Sequence, residues 1–202
     1  MPASNDPFRY PKRPHVRRHG PAGYDDIESF RPWLRDEFQF RCVYCLEREV
    51  WTKSVAAFDI DHHAALGRHP GLQFDYDNLF YVCHACNLSK GSQAVPDPLQ
   101  AMLSSAVIVK KNGELEGKTP PAKKLIACLR LNRAAYKERR QLIRAIILLA
   151  SKFDLGLLGK MLGYPANLPD LSQLRPPTNR RPAGIRKSCF ARQAAGRLPD
   201  TY

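Results

Sequence analysis

The sequence feature that most constrains the fold is a set of four cysteines arranged as two C-x-x-C pairs. Cys42 and Cys45 form the first pair, and Cys83 and Cys86 form the second after a long intervening segment. Each pair fits on one tight turn, so both of its sulfurs can reach a single tetrahedral ion. Thiolates are soft ligands that suit Zn²⁺ better than Mg²⁺ or Ca²⁺, and four of them leave no position open for a substrate. The pattern predicts a structural zinc site; the alternatives are two disulfides or unpaired cysteines in the core.

A second group of polar residues lies between and just after the cysteine pairs. The stretch FDIDHH alternates apolar and acidic residues, which is typical of a short strand, and it ends in Asp61 and His62. A carboxylate binds divalent ions and an imidazole takes up a proton near neutral pH. Asn78 precedes the apolar run LFYV, and Asn87 opens a short helix that Gly91 ends. Each of these residues, taken singly, is more often a turn, cap or surface residue, so only the ordered set predicts a site.

The order of these motifs resembles the HNH endonuclease family in its zinc-containing branch. DH, a loop, N and then C-x-x-C-N-x-x-K-G follow one another between Cys42 and Gly91, roughly a quarter of the chain. The resemblance implies a ββα-metal hairpin. We therefore predict an α+β fold with a ββα-metal (HNH) hairpin core, a four-cysteine structural zinc site, flanking helices and a long C-terminal helix.

The resemblance also implies a role for each matching position. Asp61 matches the acidic metal ligand, and His62 matches the general base that activates water. Asn78 matches the asparagine that holds the loop of the base, and Asn87 matches the second metal ligand. Two oxygen ligands favour Mg²⁺ or Mn²⁺ at this catalytic position. One departure is Ala65, where the family often has proline. The residues expected to contact nucleic acid are Lys90, Arg68 and His69.

These roles imply metal-dependent hydrolysis of DNA phosphodiester bonds, which would leave a 5′ phosphate and a 3′ hydroxyl. The alternative is a zinc-ribbon protein that binds nucleic acid and cuts nothing, or a zinc domain that binds another partner. A homodimer is one way for a single cutting centre to reach both strands; two visits by a monomer are the other.

The charge of the chain agrees with a polyanionic partner. The sequence has 32 Lys and Arg against 19 Asp and Glu, a formal net charge of +13. Such an excess favours DNA and predicts binding that weakens steeply with salt. No apolar run is long enough for a membrane span and no secretory signal is visible, so we expect a reducing cytoplasmic location.

The composition divides the chain into four segments. Residues 1–24 form a basic, flexible or extended arm, and 25–100 form the nuclease domain, which opens with an aromatic helix. Residues 101–155 contain a hairpin around Asn112-Gly113 and a helix predicted from Pro121 to Phe153. Residues 156–202 form a basic, Pro-rich tail. Whether the arm and the tail contact DNA stays open at this stage.

Overall fold

The computed structural model describes residues 6–52 and 57–202, and it shows an α+β fold. The helices are α1 (Arg31–Glu37), α2 (Glu49–Thr52), α3 (His84–Lys90), α4 (Pro98–Ala101), α5 (Pro120–Cys128), α6 (Ala134–Phe153), α7 (Leu155–Leu162) and α8 (Cys189–Ala194). The strands are β1 (Pro21–Ala22), β2 (Phe58–His62), β3 (Leu79–Cys83), β4 (Val107–Val109), β5 (Leu115–Gly117) and β6 (Thr178–Asn179). Within this described part, no helix combines the length and the apolar composition needed to cross a bilayer.

The strands β2 and β3 form the central antiparallel hairpin, and α3 follows β3 directly. In the register of the hairpin, Asp61 faces Phe80 and His62 faces Leu79. All five residues of β3 are buried, because α1 packs on β3 and α3 packs on both strands. Gly91 ends α3 with a φ of +51°, a conformation that favours glycine. The order β2, β3, α3 is that of the predicted ββα hairpin.

The aromatic helix predicted before the first cysteine pair is confirmed as α1. Pro32 lies in its first turn, where the missing N–H of proline does no harm. Phe30, Trp33 and Leu34 are fully buried in the core. Their helical spacing therefore marks a packing face.

The single long helix predicted from Pro121 to Phe153 is wrong, because the chain breaks between α5 and α6. Arg130 has a φ of +51°, outside the right-handed helical region. Two residues later, the side-chain amide of Asn132 accepts a hydrogen bond from the Leu115 N–H (2.7 Å) and donates one to the Leu115 carbonyl (2.8 Å). This pairing with β5 is a tertiary contact, and it favours the break over a continuous helix.

The hairpin predicted around Asn112-Gly113 is present, with a longer loop than the two-residue turn expected. The Lys110 N–H donates to the Glu114 carbonyl at 2.8 Å, so three residues form the loop. Gly113 has a φ of +78°, as three-residue hairpin loops require. A Cβ at this position would lie 2.5 Å from the Lys137 carbonyl oxygen of α6, so only glycine fits.

Both terminal segments, the arm that was expected to be flexible or extended and the basic, Pro-rich tail, pack on the core over their described residues. Residues 1–5 of the arm lie outside the described part. Phe8 and Tyr10 are buried, and β1 of the arm pairs with β6 of the tail. His19 and the backbone N–H of Cys189 both bond the carboxylate of Asp36, at 2.8 and 2.6 Å. One buried carboxylate therefore joins the two ends of the chain.

The neighbouring carboxylate of Glu37, at the end of α1, holds the arm in place. It is 1% exposed and lies 2.6 Å from the His15 ring, and it accepts the backbone N–H groups of Arg18 (3.0 Å) and His19 (2.9 Å). Burial alone raises the pKa of Glu37, but these contacts, the one with His15 foremost, outweigh it and lower the pKa to about 2. Folding therefore depends on this side chain being ionised.

We predict that Glu37→Gln lowers the free energy of unfolding at pH 7 by roughly 1–3 kcal/mol, because the arm loses charge-assisted hydrogen bonds. The folded pKa lies below the unfolded value of 4.5. The stabilisation, on the order of 3 kcal/mol, is therefore complete above that value and is lost as the pH falls toward 2. Urea unfolding should show the gap between wild type and variant narrowing over this window. Acid release of a bound metal affects both proteins alike. A difference in unfolding free energy that stays constant over this pH range would contradict the lowered pKa of Glu37.

Candidate active site

The four cysteines of the two C-x-x-C pairs meet in one buried cluster. Their sulfur atoms all lie within 4.8 Å of one another, and Cys45 Sγ lies 3.6 Å from Cys83 Sγ. None of them is in a disulfide. Four sulfurs around Zn²⁺ at about 2.3 Å would stand about 3.8 Å apart, so the cluster has the size and the ligand chemistry of a structural zinc site.

Local backbone geometry places each pair. The carbonyl of Cys42 accepts the N–H of Leu46, whose φ of +60° closes the first turn. Cys83 ends β3 and Cys86 lies in the first turn of α3, so the second pair occupies a strand-to-helix junction. The N–H of Val43 donates to the Tyr81 carbonyl at 3.0 Å. The cluster therefore joins the first cysteine turn to both β3 and α3.

Hydrogen bonds within the cluster shift the pKa values of Cys42, Cys45 and Cys86. Burial raises the pKa of Cys42, but hydrogen bonds from the other three cysteines outweigh it and hold this pKa well below its ordinary value. The hydrogen bond with Cys42, the largest effect, in turn raises the pKa of Cys45 and of Cys86. Zn²⁺ binds deprotonated thiolates, so the lowered pKa of Cys42 agrees with a metal-binding cluster.

Asp61 forms a buried ion pair under the β2–β3 hairpin. Its carboxylate is 2.8 Å from Lys90 Nζ and accepts the Tyr44 hydroxyl at 3.0 Å; Asp61 is 5% exposed and Lys90 only 1%. Burial raises the pKa of Asp61 more than the charge of Lys90 lowers it. Lys90 also donates to the His62 carbonyl at 2.8 Å. Lys90 was expected beside a substrate phosphate, but the structure places its ammonium group inside the protein.

His62 and Asn78 lie on the two sides of the loop that follows β2. The partly exposed His62 ring has Nε2 2.9 Å from the Gln73 carbonyl oxygen. A carbonyl only accepts, so Nε2 carries the proton and the neutral ring keeps its lone pair on Nδ1. Asn78 Oδ1 accepts the Ala64 N–H at 2.8 Å, and Nδ2 donates to the carbonyls of Ala64 and Leu72, both at 3.3 Å. Asn78 thus holds both ends of the loop together.

Asn87 meets Asp59, whereas Asp61 contacts Lys90. Asp59 Oδ2 lies 2.9 Å from Asn87 Nδ2 and 3.0 Å from His84 Nδ1. Asp59 and Asp61 are two residues apart on one face of β2, and Asn87 and Lys90 are three residues apart on one face of α3. Asn87 therefore faces the carboxylate of Asp59, and Lys90 faces the carboxylate of Asp61.

Asp59 and His84 were not among the site residues expected from the sequence. The i, i+2 spacing of Asp59 and Asp61 places both carboxylates on one face of the strand. The i, i+3 spacing of His84 and Asn87 places both side chains on one face of the helix. The side chains of Asp59 and His84 are 27% and 62% exposed. Carboxylate, amide and imidazole groups all ligate divalent ions, and this cluster is accessible from solvent.

Arg68 and His69 lie on the exposed loop after β2, beside His63. The three residues line a small cavity of about 170 Å³. The His63 ring packs against Phe80, with 5.7 Å between ring centres, and burial lowers its pKa. His63 is therefore neutral at physiological pH, and the charge on this part of the loop comes from Arg68.

The comparison with known families identifies one domain. The HNH endonuclease family model matches residues 42–93, which include both cysteine pairs, His62, Asn78 and Asn87. No curated protein and no solved structure matches the chain. The match supports a nuclease-like or nucleic-acid-binding role. It does not support a homodimer, which was one of the two ways considered for cutting both strands.

We predict that Cys83→Ser gives insoluble or zinc-free protein. Three thiolates and a hydroxyl bind Zn²⁺ much more weakly, and a structural zinc ion contributes on the order of 10 kcal/mol to folding. Metal analysis of the purified protein measures the outcome. Cys128→Ser, a partly buried cysteine on α5 outside the cluster, should keep one zinc per chain. A soluble Cys83→Ser protein with full zinc content would refute the four-cysteine site.

Proposed function

We propose, from the HNH endonuclease domain at residues 42–93, that this protein is a metal-dependent endonuclease that hydrolyses DNA phosphodiester bonds. The observation that carries the proposal is the state of His62. Its ring is partly exposed at the end of β2, and the Gln73 carbonyl fixes the tautomer in which Nδ1 is free to accept a proton. The same hydrogen bond orients the ring at the end of β2.

His62 is the general base in this proposal. Nδ1 takes the proton of the water that attacks the scissile phosphate, a step typically worth about 10²–10⁴-fold in rate. The ring is held by the Gln73 carbonyl, and its backbone is held by Lys90 through the His62 carbonyl. Asn78 keeps the loop that carries Gln73 in register with β2. Lys90 and Asn78 are positioning residues in this proposal, since both act on His62 through backbone groups of β2 and its loop.

Asn87 and a carboxylate of β2 are the proposed ligands of the catalytic cation, Mg²⁺ or Mn²⁺. The family resemblance assigns this carboxylate to Asp61. The geometry favours Asp59, because Asp59 meets Asn87 and His84 while the Lys90 ammonium group already neutralises Asp61. A half-turn of the Asn87 amide exchanges Nδ2 for Oδ1, the atom that binds a metal. When bound, such an ion stabilises the negative charge that develops on the phosphate oxygens.

The second candidate is a protein that binds nucleic acid without cutting it. The observation in its favour is the ion pair between Asp61 and Lys90, which occupies the carboxylate that the family uses for its metal. The two candidates differ in whether the cluster of Asp59, His84 and Asn87 binds a cation that supports hydrolysis.

We predict that the wild-type protein nicks or linearises supercoiled plasmid in Mg²⁺ or Mn²⁺, and that His62→Ala is slower by about 10²–10⁴-fold. The variant should bind the same DNA as tightly as the wild type in EDTA, because only the base is removed. Lys124→Ala, on the exposed face of α5, should cut at the wild-type rate. Cutting by His62→Ala at the wild-type rate would refute the role of His62 as general base. If none of the proteins cuts the plasmid, the result would favour the second candidate, a protein that binds nucleic acid without cutting it.

We predict different effects for the two aspartates of β2. Asp59→Asn should keep the fold and the zinc but require at least tenfold more Mn²⁺ for half-maximal cutting, on the order of 1.4 kcal/mol of weaker binding. Asp61→Asn should lower the free energy of unfolding by about 3–5 kcal/mol, since it leaves the Lys90 ammonium buried without its counter-charge. Cation titrations and urea unfolding measure the two effects. A stable Asp61→Asn protein with a raised cation requirement would return the ligand role to Asp61.

A further inference from the structure

A large basic cleft lies between the two terminal segments, apart from the catalytic residues. Its volume is about 670 Å³. Residues 11–18 of the arm, the end of α1, the first cysteine turn and residues 186–197 of the tail form its walls. His62, Asp59 and Asn87 do not line it. The cleft exists only because the tail folds back over the core, which the sequence analysis did not predict.

The lining of the cleft is strongly positive. Six cationic side chains line it: Arg18, Arg41, Arg186, Lys187, Arg192 and Arg197. Among the described residues, Glu37 is the one carboxylate in the lining, and its oxygens already accept the bonds from the arm. Cys42 is also among the lining residues, but it is fully buried, and a zinc centre with four thiolates would carry only two net negative charges. The net charge of the lining residues is therefore positive.

Among the described residues, only Arg18 of these six cations has an acidic partner, and three of the other five are exposed. Arg186, Lys187 and Arg197 are exposed and enter no ion pair there. Arg18 differs, since its guanidinium bonds Asp36 and the backbone of α1. The cleft therefore offers both a fixed cation and cations that are free to bind a ligand.

Arg41 adds a buried donor at the same place. Its Nη2 donates to Gln39 Oε1 at 2.7 Å, and its guanidinium carbon lies 5.3 Å from the centre of the Tyr202 ring. Its Nε is buried without a hydrogen-bond partner in the described part of the chain. Buried donors are normally paired, so an acceptor is missing here. An anionic oxygen in the cleft would supply it.

We infer that this cleft binds phosphate groups of the DNA backbone, as a second contact site of the substrate. Guanidinium groups match phosphate oxygens with two parallel hydrogen bonds, and a concave wall of cations concentrates a polyanion. Such contacts fix the position of a duplex without reading its sequence. The inference rests on the proposed function, because the partner is the DNA that the nuclease cuts. A free nucleotide has the same phosphate chemistry, and the experiment separates the two sources.

The test uses the 202-residue chain with His62→Ala, in EDTA, so that binding is measured without cutting. Arg186→Gln, Lys187→Gln and Arg197→Gln are combined, and the affinity for a fluorescent duplex is measured by anisotropy at several NaCl concentrations. We expect affinity to fall at least tenfold near 0.1 M salt. The slope of log K against log salt should fall by about 0.9 for each phosphate that the variant no longer neutralises.

The matched control combines Lys124→Gln, Lys152→Gln and Lys160→Gln, three exposed lysines of α5, α6 and α7 that do not line the cleft. It removes the same charge and should change the affinity by less than threefold. An equal decrease in both triple variants would mean a general charge effect and would overturn the site, as would an unchanged affinity in the cleft variant.

A second titration identifies the source of the phosphate. Pyrophosphate is added to the His62→Ala protein and to the cleft variant, and its binding is measured by calorimetry. Pyrophosphate binding that is absent from the cleft variant, together with an unchanged affinity for DNA, would assign the cleft to a free anion and overturn the inference. The His62→Ala background keeps this result independent of the plasmid assay, so the cleft and the proposed nuclease activity can fail separately.

Discussion

The convergence of four sulfur atoms at one point is the constraint on which the rest of the structure depends. A hairpin of two five-residue strands is marginal in water by itself. The cysteine cluster joins the hairpin to the first cysteine turn and to α3. Tyr44, inside the first pair, reaches from this turn to Asp61 at 3.0 Å. A zinc ion in the cluster therefore holds the strand of the proposed general base as well as the fold.

The second fixed point is the ion pair of Asp61 and Lys90. Burying two charges is costly, and such a pair is weak evidence for stability. Its position gives it another role, because Lys90 reaches the His62 carbonyl and α3 is thereby locked to the end of β2. In the buried half of the hairpin–helix interface, the charges of Asp61 and Lys90 neutralise each other. The exposed half contains Asp59 and Asn87, the proposed ligands of the catalytic cation.

The net charge of +13 includes structural arginines as well as those that can meet DNA. Arg17 donates to the Leu79 carbonyl and lies over three aromatic rings, and Arg35 forms a buried pair with Glu49. These guanidinium groups hold the arm and α1 on the core. The exposed cations of the cleft belong to residues 186–197. The C-terminal segment therefore provides charge to a surface whose walls are built by the arm.

The sequence by itself determined the features that depend on local patterns: the cysteine cluster from its spacing, α1 from its aromatic periodicity, and the hairpin from its alternation. Only the tertiary structure decided which carboxylate meets Asn87. Asp59 and Asp61 share one face of β2, and the phase of α3 against that strand makes the choice. The break before α6 and the folding of both ends onto Asp36 likewise rest on partners distant in the sequence. Local spacing fixes which groups a segment presents, but contacts between segments fix which groups meet.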